Sequence, residues 1–317
     1  MRKFTTMMIL TGLSFSMTTV ALAAPVNLTG NTVIKYEKDT ATGDPSISGM
    51  MYSATLNGET DIGSEFSLYA RLGAQYATQP SLSDYNLDAY GSDRKSVFSL
   101  DLFGLNYKSS NFLYKLGRQA VTVGTTSLLY SRSDSNIGKH NFVDGLSATG
   151  RAGVLDIAAV AAQEDNVGSE KNKLYAIRTG YKATENFDYG LTLGRYQFDG
   201  GEHTNHWAVD GTYKVGKHSV TAEYAKSNSN ADNKAYAASW NYGFDDKTAV
   251  YITGFKVETN GDMGKQSDFD NDNRGIYYGL THSLTDADSL EVVYKNQKII
   301  SSGQKNTKLE ATFTHSF

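Results

Sequence analysis

The sequence predicts an all-β fold, a transmembrane antiparallel β-barrel of about sixteen strands, on three observations. Apolar and polar residues alternate along most of the chain, the connections between these segments are alternately short and long, and the chain ends on an aromatic residue. In the terminal segment, residues 308–317, one face consists of Leu309, Ala311, Phe313, His315 and Phe317. An ordinary edge strand is the alternative for this segment alone. A closed barrel pairs its last strand with its first, so a terminal aromatic strand favours a membrane barrel.

The first 23 residues predict a secretory signal that is removed on export. Arg2 and Lys3 form a short basic region, residues 7–20 are mostly apolar or small, and Ala21-Leu22-Ala23 matches the small-x-small pattern of a cleavage site. The apolar run is short for a membrane-spanning helix, which needs about 20 apolar residues. Residues 24–317 are therefore expected to form one domain, exported through the periplasm to an outer membrane.

The composition agrees with a single β domain and excludes several classes of protein. The chain has 3 prolines and 0 cysteines, so neither a disulfide scaffold nor a visible linker divides it. Its 30 glycines, 21 tyrosines and aromatic fraction of 12% suit a barrel with aromatic girdles at both membrane interfaces. Without Arg2 and Lys3 the chain has 28 basic and 34 acidic residues, a balance of −6 that argues against a nucleic-acid partner.

Alternating segments follow one another to the C-terminus, and no stretch indicates a helix. About sixteen strands would form a barrel wide enough to leave an aqueous lumen, although fourteen or eighteen also fit the pattern. The predicted strands are 28–37, 47–56, 64–77, 95–107, 112–123, 142–150, 154–163, 173–181, 187–198, 206–215, 219–225, 235–244, 248–257, 275–283, 289–296 and 307–317.

The lengths of the connections alternate as a membrane barrel requires when its N-terminus lies in the periplasm. In a soluble β-sandwich, the lengths of the loops are not expected to alternate along the whole chain. Two connections depart from the rule, because 57–63 is long for a turn and 199–203 is short for an outer loop. The short connections are 108–111, 151–153, 184–186, 216–218, 245–247 and 284–288, and the longer ones are 78–94, 124–141, 164–172, 226–234, 258–274 and 297–306.

The two faces of each strand predict one side in lipid and one in water. An Arg or Lys at mid-membrane on the lipid side costs about 2–4 kcal/mol, so charged residues opposite apolar faces should point inward. Arg71, Asp156, Arg178 and Glu223 are therefore expected to line a wet, charged lumen. The faces expected to contact lipid include Trp207, Val209, Gly211, Tyr213 and Val215, then Tyr236, Ala238, Trp240, Tyr242 and Phe244, and finally Tyr251, Thr253, Phe255 and Val257.

Arg118 does not fit this division, because it shares the parity of Leu116, which is expected to face lipid. Either a bulge near Gly117 turns Arg118 into the lumen, or its side chain extends to water at the outer rim. The bulge is the preferred interpretation. Asp101 and Phe103 pose a similar conflict in the preceding strand.

The run Gly117-Arg118-Gln119, placed before a longer outer loop, resembles the fifth strand of bacterial general porins, in which a Gly-Arg pair lines the pore. The signal, the Phe-terminated last strand, the loop parity and the strand number are similar to that family across the chain after residue 23. The resemblance implies passive diffusion of ions and small hydrophilic solutes, usually through a homotrimer in the outer membrane of a Gram-negative bacterium. It also implies that the barrel-assembly machinery uses Phe317.

The same resemblance implies a basic wall that faces carboxylates on a loop folded into the lumen. It assigns Arg118 and Arg71 to the wall, residues 124–141 to the loop and Asp134 to the facing acid. The loop is shorter than in classical members and lacks their Pro-Glu-Phe-Gly-Gly type of segment. Two basic residues of the loop would make the constriction more basic than the family norm, namely Arg132 and Lys139.

Three aspartates at alternate positions near the end of the chain are similar to the first part of a calcium-binding loop. Asp268, Asp270 and Asp272 occupy alternate positions, but Asn273 stands where such a loop requires glycine. A solvated outer loop is therefore the favoured interpretation, and the sequence predicts no metal site.

The histidines are the candidates for an enzyme within the barrel. His203 and His206 lie three residues apart, a spacing that converges on a helix but not on a strand. No Gly-x-Ser-x-Gly, His-Glu-x-x-His or phosphate-binding glycine pattern is found, so the sequence predicts no catalytic residue and no cofactor. Two alternatives stay open: a solute-specific channel with inward tyrosines such as Tyr69, and a barrel enzyme or adhesin with a closed lumen.

Overall fold

The computed structural model describes residues 25–79 and 95–317. The predicted signal, residues 1–23, and most of the predicted outer loop at 78–94 lie outside the described residues. No helix within the described ranges is long and apolar enough to cross a membrane.

Sixteen strands form one closed antiparallel barrel, which confirms the predicted fold class. Two further short strands, β6 and β7, pair with each other inside a connection. In chain order the strands are β1 (Asn27–Ala41), β2 (Ile47–Asp61), β3 (Phe66–Ala77), β4 (Ser96–Lys108), β5 (Phe112–Gln119), β6 (Val121–Val123), β7 (Tyr130–Arg132), β8 (Val143–Ala152), β9 (Leu155–Glu164), β10 (Lys173–Lys182), β11 (Phe187–Gln197), β12 (His203–Val215), β13 (His218–Ser227), β14 (Lys234–Gly243), β15 (Thr248–Val257), β16 (Asn273–Ser283), β17 (Asp288–Ile299) and β18 (Lys305–Ser316).

Each barrel strand pairs with its neighbours in the wall, and β1 closes the ring against β18. Asn31 is paired with Ser316 and Ala41 with Asn306, so the last strand covers most of the first. This is the closure that the alternating C-terminal segment predicts, and it satisfies the backbone groups of both terminal strands.

The two ends of the barrel differ in the length of their connections, as predicted. One end, which we call the short-turn end, carries 62–65, 109–111, 153–154, 183–186, 216–217, 244–247 and 284–287. The other, the long-loop end, carries 42–46, 120–142, 165–172, 198–202, 228–233, 258–272 and 300–304, together with the connection between β3 and β4. The predicted long turn at 57–63 is mostly strand, because β2 continues to Asp61.

A β-bulge interrupts the pairing of β3 with β4. The register shifts after Arg71, which is paired with Leu102, and leaves Asp101 as the extra residue. Asp101 and Leu102 are both buried inside the barrel, whereas Phe103 is 42% exposed on the outer face. The bulge therefore explains why the sequence pattern conflicts at Asp101 and Phe103.

One predicted lipid face is wrong. Phe255 and Val257 of β15 point into the barrel, where they are 4% and 0% exposed, and Tyr251 donates its hydroxyl proton to Glu291 on β17. Their neighbour Ile252 lies on the outer face instead, at 39% exposure. The inward face of β15 is apolar because a loop packs against it, which alternation alone does not reveal.

Candidate functional site

The connection between β5 and β8, residues 120–142, folds into the barrel. At its tip the Thr125 hydroxyl donates to Asp210 Oδ1 at 2.6 Å, and the Thr126 amide and hydroxyl each donate to Glu223 Oε2 at 2.8 Å. Gly124 has a φ of +97°, and a Cβ there would lie 2.3 Å from Glu223 Oε1, so glycine permits this close approach. The tip is thus fixed to β12 and β13, several strands around the wall from β5, and the loop spans part of the lumen.

A second connection, residues 258–272, also folds inward and pairs with the first. The Met263 amide donates to the Leu129 carbonyl at 2.8 Å, and the Asp268 amide donates to the Ser127 carbonyl at 3.1 Å. The ring of Phe269 stacks on Phe255 with centroids 4.7 Å apart. The predicted solvated outer loop is therefore only partly correct, because Gly261, Asp262, Met263 and Phe269 of this segment are buried inside the barrel.

The carboxylate of Asp262 holds the second loop together from within. It accepts hydrogen bonds from the Ser267 amide at 3.1 Å and from the Asn271 side-chain amide at 2.7 Å. Burial raises the pKa of Asp262 to about 6, although these donors oppose the shift. Asp262 therefore changes charge in a mildly acidic range while it bridges two parts of the loop.

The two loops and the inward wall share one apolar core near the long-loop end. Small wall residues leave room for larger side chains that the loops bring in, since alanine occupies little of the interior. This packing fills part of the lumen and narrows the passage that remains. The loop members include Val121, Val123, Leu128, Leu129, Tyr130, Met263 and Phe269, and the alanines of the wall are Ala162, Ala208, Ala225, Ala235 and Ala237.

Arg71 faces the lumen as predicted, but its guanidinium is committed to the first loop. It makes a bidentate ion pair with Asp101 at 2.8 and 3.0 Å, and both residues are buried. Its remaining donors reach the carbonyls of Asp134 at 2.5 Å and Asn136 at 2.7 Å. The Gly138 amide in turn donates to Asp101 at 3.2 Å. The pair anchors the loop and does not face the open lumen.

Asp134 contacts Arg71 through its backbone carbonyl, and its side chain is exposed. The Lys115 ammonium lies 4.2 Å from the ring centroid of Tyr69, on the inward face. Lys115 is thus an inward base that the sequence analysis did not single out. Lys115 lies on the opposite face of the strand from Leu116, which is expected to face lipid, so alternation alone indicates that Lys115 points inward. The Gly-Arg pattern led to the choice of Arg118 instead.

Arg118 is on the outer face of the barrel, which corrects the prediction that it lines the pore. It is paired with Phe103 without a register shift, and its guanidinium lies 5.5 Å from the Phe103 ring centroid. It binds Asp144 and Asp165 at 2.8 Å each, near the end of β5. The preferred bulge at this position is wrong, and the alternative of an arginine at the outer rim agrees with the structure.

Gly117 faces the lumen in place of Arg118. It has a φ of +132° and lies directly opposite Gly104 on β4. The Tyr69 ring occupies the space beside Gly104, because a Cβ on Gly104 would lie 2.6 Å from its hydroxyl. That hydroxyl donates to the Arg118 carbonyl at 3.1 Å. Gly104 therefore seats the inward tyrosine, whereas Gly117 permits the close approach of the β4 backbone at Phe103 and Gly104.

Arg178 lies below the loop tip on the inward face of β10. It makes a bidentate pair with Asp210 at 2.5 and 3.0 Å, and Gly190 is required beside it, since a Cβ there would lie 2.6 Å from Nη2. A cavity of about 440 Å³ opens here toward the short-turn end, lined in part by Arg178, Asp156 and Gly124. Arg178 and Asp156 therefore line open space as predicted.

Whether a predicted pore-lining residue is exposed inside the barrel depends on whether the first inward loop, residues 120–142, covers it. Asp156 is exposed and paired with Arg151 at 2.8 Å, whereas Glu223 points inward but is covered by the loop tip and only 2% exposed. Arg132 is also covered, because it binds Glu164 at 3.3 Å and carbonyls of the loop base. Of the two bases expected to make the constriction more basic, Lys139 alone is exposed.

A second charged group lines the wall where β1, β17 and β18 meet. Lys308 and Lys35 each lie 3.3 Å from Glu37, and Lys295 lies 2.6 Å from Glu310. All five residues are on the inward face, where Glu37 is paired directly with Glu310 and Lys295 with Lys308, so the ion pairs run diagonally between rows of like charge. The ion pair of Lys308 with Glu37 joins β18 to β1, which lie at opposite ends of the sequence. Alternation along a single strand could therefore not predict it.

The aspartates compared with a calcium loop do not converge. Asp268 accepts a hydrogen bond from Ser131, Asp270 from Gln297 and Asp272 from Ser301. Within residues 25–79 and 95–317, no three metal-binding side chains come together. The carboxylates instead join the loop to three different parts of the barrel.

The comparisons with known proteins are structural only, since the sequence matches no protein-family model and no curated protein. OmpF of Salmonella typhi in complex with daunomycin is 14% identical, with a TM-score of 0.61 over 93% of this chain and 98% of that one. A triple mutant of the Rhodopseudomonas blastica porin is 11% identical, with a TM-score of 0.60 over 92% and 100%. A loop L8 deletion mutant of OmpT, an outer membrane protein of Vibrio cholerae, is 15% identical, with a TM-score of 0.59 over 92% and 99%. These likenesses show a shared fold.

Proposed function

We propose that this chain is an outer-membrane channel through which ions and small hydrophilic solutes diffuse passively. The observation that carries the proposal is a loop of the wall folded into a charged lumen and fixed at Arg71 on one side and at Asp210 and Glu223 on the other. Such a loop sets the radius and the electric field of a passage at its narrowest point. Arg178 and Asp156 supply charges that remain in contact with open space inside the barrel. The proposal involves no catalysed reaction and no cofactor.

The same proposal covers the cellular context. Residues 1–23 would direct export and be removed, the barrel would sit in the outer membrane of a Gram-negative bacterium, and Phe317 would be used by the assembly machinery. A homotrimer is the assembly that the sequence resemblance favours. Export is tested by the mass of the protein isolated from outer membranes, which should lack residues 1–23.

The test is single-channel conductance of the folded protein in a planar lipid bilayer under a salt gradient. Discrete ohmic steps are expected, and the reversal potential gives the charge preference of the passage. A folded, heat-modifiable barrel that passes no current would contradict the proposal and favour the enzyme and adhesin alternatives.

A solute-specific channel is the second candidate, and the second inward loop favours it. Residues 258–272 add an apolar core to the constriction, which leaves a narrower passage than one loop would. This candidate predicts that current is blocked in a saturable way by one class of solute. A conductance that falls only in proportion to solute size and concentration would contradict it.

A further inference from the structure

Four basic residues lie directly opposite one another on the outer face of four adjacent strands. Lys256 is paired with Arg274, Arg274 with Lys298, and Lys298 with Lys305. Paired residues of an antiparallel sheet point to the same side, and the outward side is marked by Ile276, two positions from Arg274 and 42% exposed. The four side chains therefore form a continuous row, which we call the basic ladder.

The basic ladder has few internal partners for its charge. Lys256 binds Glu258 at 2.6 Å, but Arg274, Lys298 and Lys305 form no ion pair with any carboxylate among the described residues. Adjacent strands are about 4.8 Å apart, and like charges directly opposite each other destabilise a sheet. An array of this kind is stabilised when anions bind along it.

The basic ladder lies directly above an apolar band. On β16, Arg274 is followed on the same face by Ile276, Tyr278 and Leu280, each 39–44% exposed. The Tyr278 ring also packs beside Tyr294 of β17, with centroids 6.4 Å apart. Cations above an apolar surface match the layout of a lipid, whose anionic headgroup lies above its chains.

The opposite rim of the same strands has a different character. The turns that join β14 to β15 and β16 to β17 carry Asp245, Asp246 and Asp286 together with Lys247, and the outer face of the adjacent β13 and β14 is aromatic there, with His218 stacked on Trp240 at 5.9 Å. The basic ladder is therefore a property of the long-loop end. Its occupant should belong to the leaflet that surrounds that end.

We propose that the basic ladder binds the phosphate groups of lipid headgroups in the leaflet around the long-loop end, which rests on the membrane location proposed above. Arg274 supplies a planar fork that matches phosphate oxygens, and Lys298 and Lys305 supply further charge-assisted donors on either side. The lipid chains lie against Ile276 and Tyr278. The site lies on the outer face and is independent of the passage through the lumen.

The test is native mass spectrometry of the folded protein from detergent micelles that contain equal amounts of phosphatidic acid and phosphatidylcholine. The wild-type protein should retain phosphatidic acid preferentially. Arg274→Gln with Lys298→Gln should reduce that retention by about 25-fold, because each base near an anionic surface contributes roughly fivefold. Lys217→Gln with Lys247→Gln removes the same charge from the short-turn end and should retain lipid as the wild type does.

Two outcomes would overturn the proposal. One is equal retention by the two double variants, which would mean that the basic ladder has no specific role. The other is complete displacement of phosphatidic acid by inorganic phosphate at the same concentration, which would assign the site to free phosphate. Heat-modifiable migration confirms folding of both variants, and unchanged conductance of the ladder variant separates this proposal from the channel function.

Discussion

The ring of Phe317 lies against the backbone of Gly30, where the last residue of the chain meets the first strand. The two residues exchange backbone hydrogen bonds of 2.9 and 3.0 Å. A Cβ on Gly30 would lie 2.6 Å from Phe317 Cζ and 2.3 Å from the Thr55 carbonyl oxygen. The terminal aromatic residue thus completes the barrel only because glycine stands opposite it.

Gly30→Ala should therefore weaken barrel closure. The added methyl group has to displace both the ring and the backbone of β2, and overpacking of this kind costs about 1–3 kcal/mol. Gly58→Ala is the matched control, because a Cβ there would meet only Val26 and Leu28 at ordinary contact distances of 3.5 and 3.6 Å. The measurement is the midpoint of urea unfolding, followed by heat-modifiable migration. Equal midpoints for the two variants would contradict the assigned role of Gly30.

The sequence predicted the importance of Phe317 but could not predict that of Gly30. Alternation along one strand is a local signal, whereas the contact joins residues at opposite ends of the chain. The same limit applies to Asp101, whose bulge depends on the partner strand and on the guanidinium of Arg71. Strand number, closure and loop parity were predictable because each is repeated many times along the chain.

The ion selectivity of the proposed channel should depend on Lys115 and not on its neighbour Arg118. The two residues are on opposite faces of β5: Lys115 lies over the Tyr69 ring on the inward face, whereas Arg118 is paired with the outward Phe103. Lys115→Glu should shift the reversal potential under a salt gradient toward cations, because a confined passage screens fixed charge weakly. Arg118→Glu should leave it near the wild-type value.

The family resemblance assigns Arg118 and Arg71 to the basic wall of the pore, so it predicts that shift for Arg118→Glu and Arg71→Glu. A shift with Arg118→Glu and none with Lys115→Glu would therefore restore the sequence-based assignment. Parity correctly identified the inward orientation of Arg71, Arg178, Asp156 and Glu223. It could not show which of them a loop covers, because the path of residues 120–142 is set by tertiary contacts.

Met263 should control the width of the passage through its packing, since it carries no charge that could act on a passing solute. Its side chain is 0% exposed and lies where a Cβ on Gly194 would be 3.0 Å from its sulfur. Met263→Ala should cost about 2–5 kcal/mol of loop packing, because it leaves a cavity between the two loops. Single-channel conductance should rise and become noisier.

Thr259→Ala is the control for Met263→Ala, since it shortens a side chain of the same loop outside the apolar core. Its conductance should match that of the wild type. Equal effects of the two substitutions would mean that the second loop acts through general mobility and not through the packing of Met263 against the first loop.

The packing of residues 258–272 should weaken as the pH rises from about 4 to about 6. The pKa of Asp262 is raised from 3.8 to about 6 by burial, so the folded loop binds this proton more tightly than an unfolded loop does. Stability linked to the proton is complete below the unfolded pKa and is lost as the pH passes the folded one, at most about 3 kcal/mol. Amide hydrogen exchange of the loop, corrected for intrinsic rates, should be slower at about pH 4.5 than at about pH 7, because these two values lie on either side of the folded pKa. Asp262→Asn should remove this difference, and an unchanged pH dependence in that variant would assign the titration to another group.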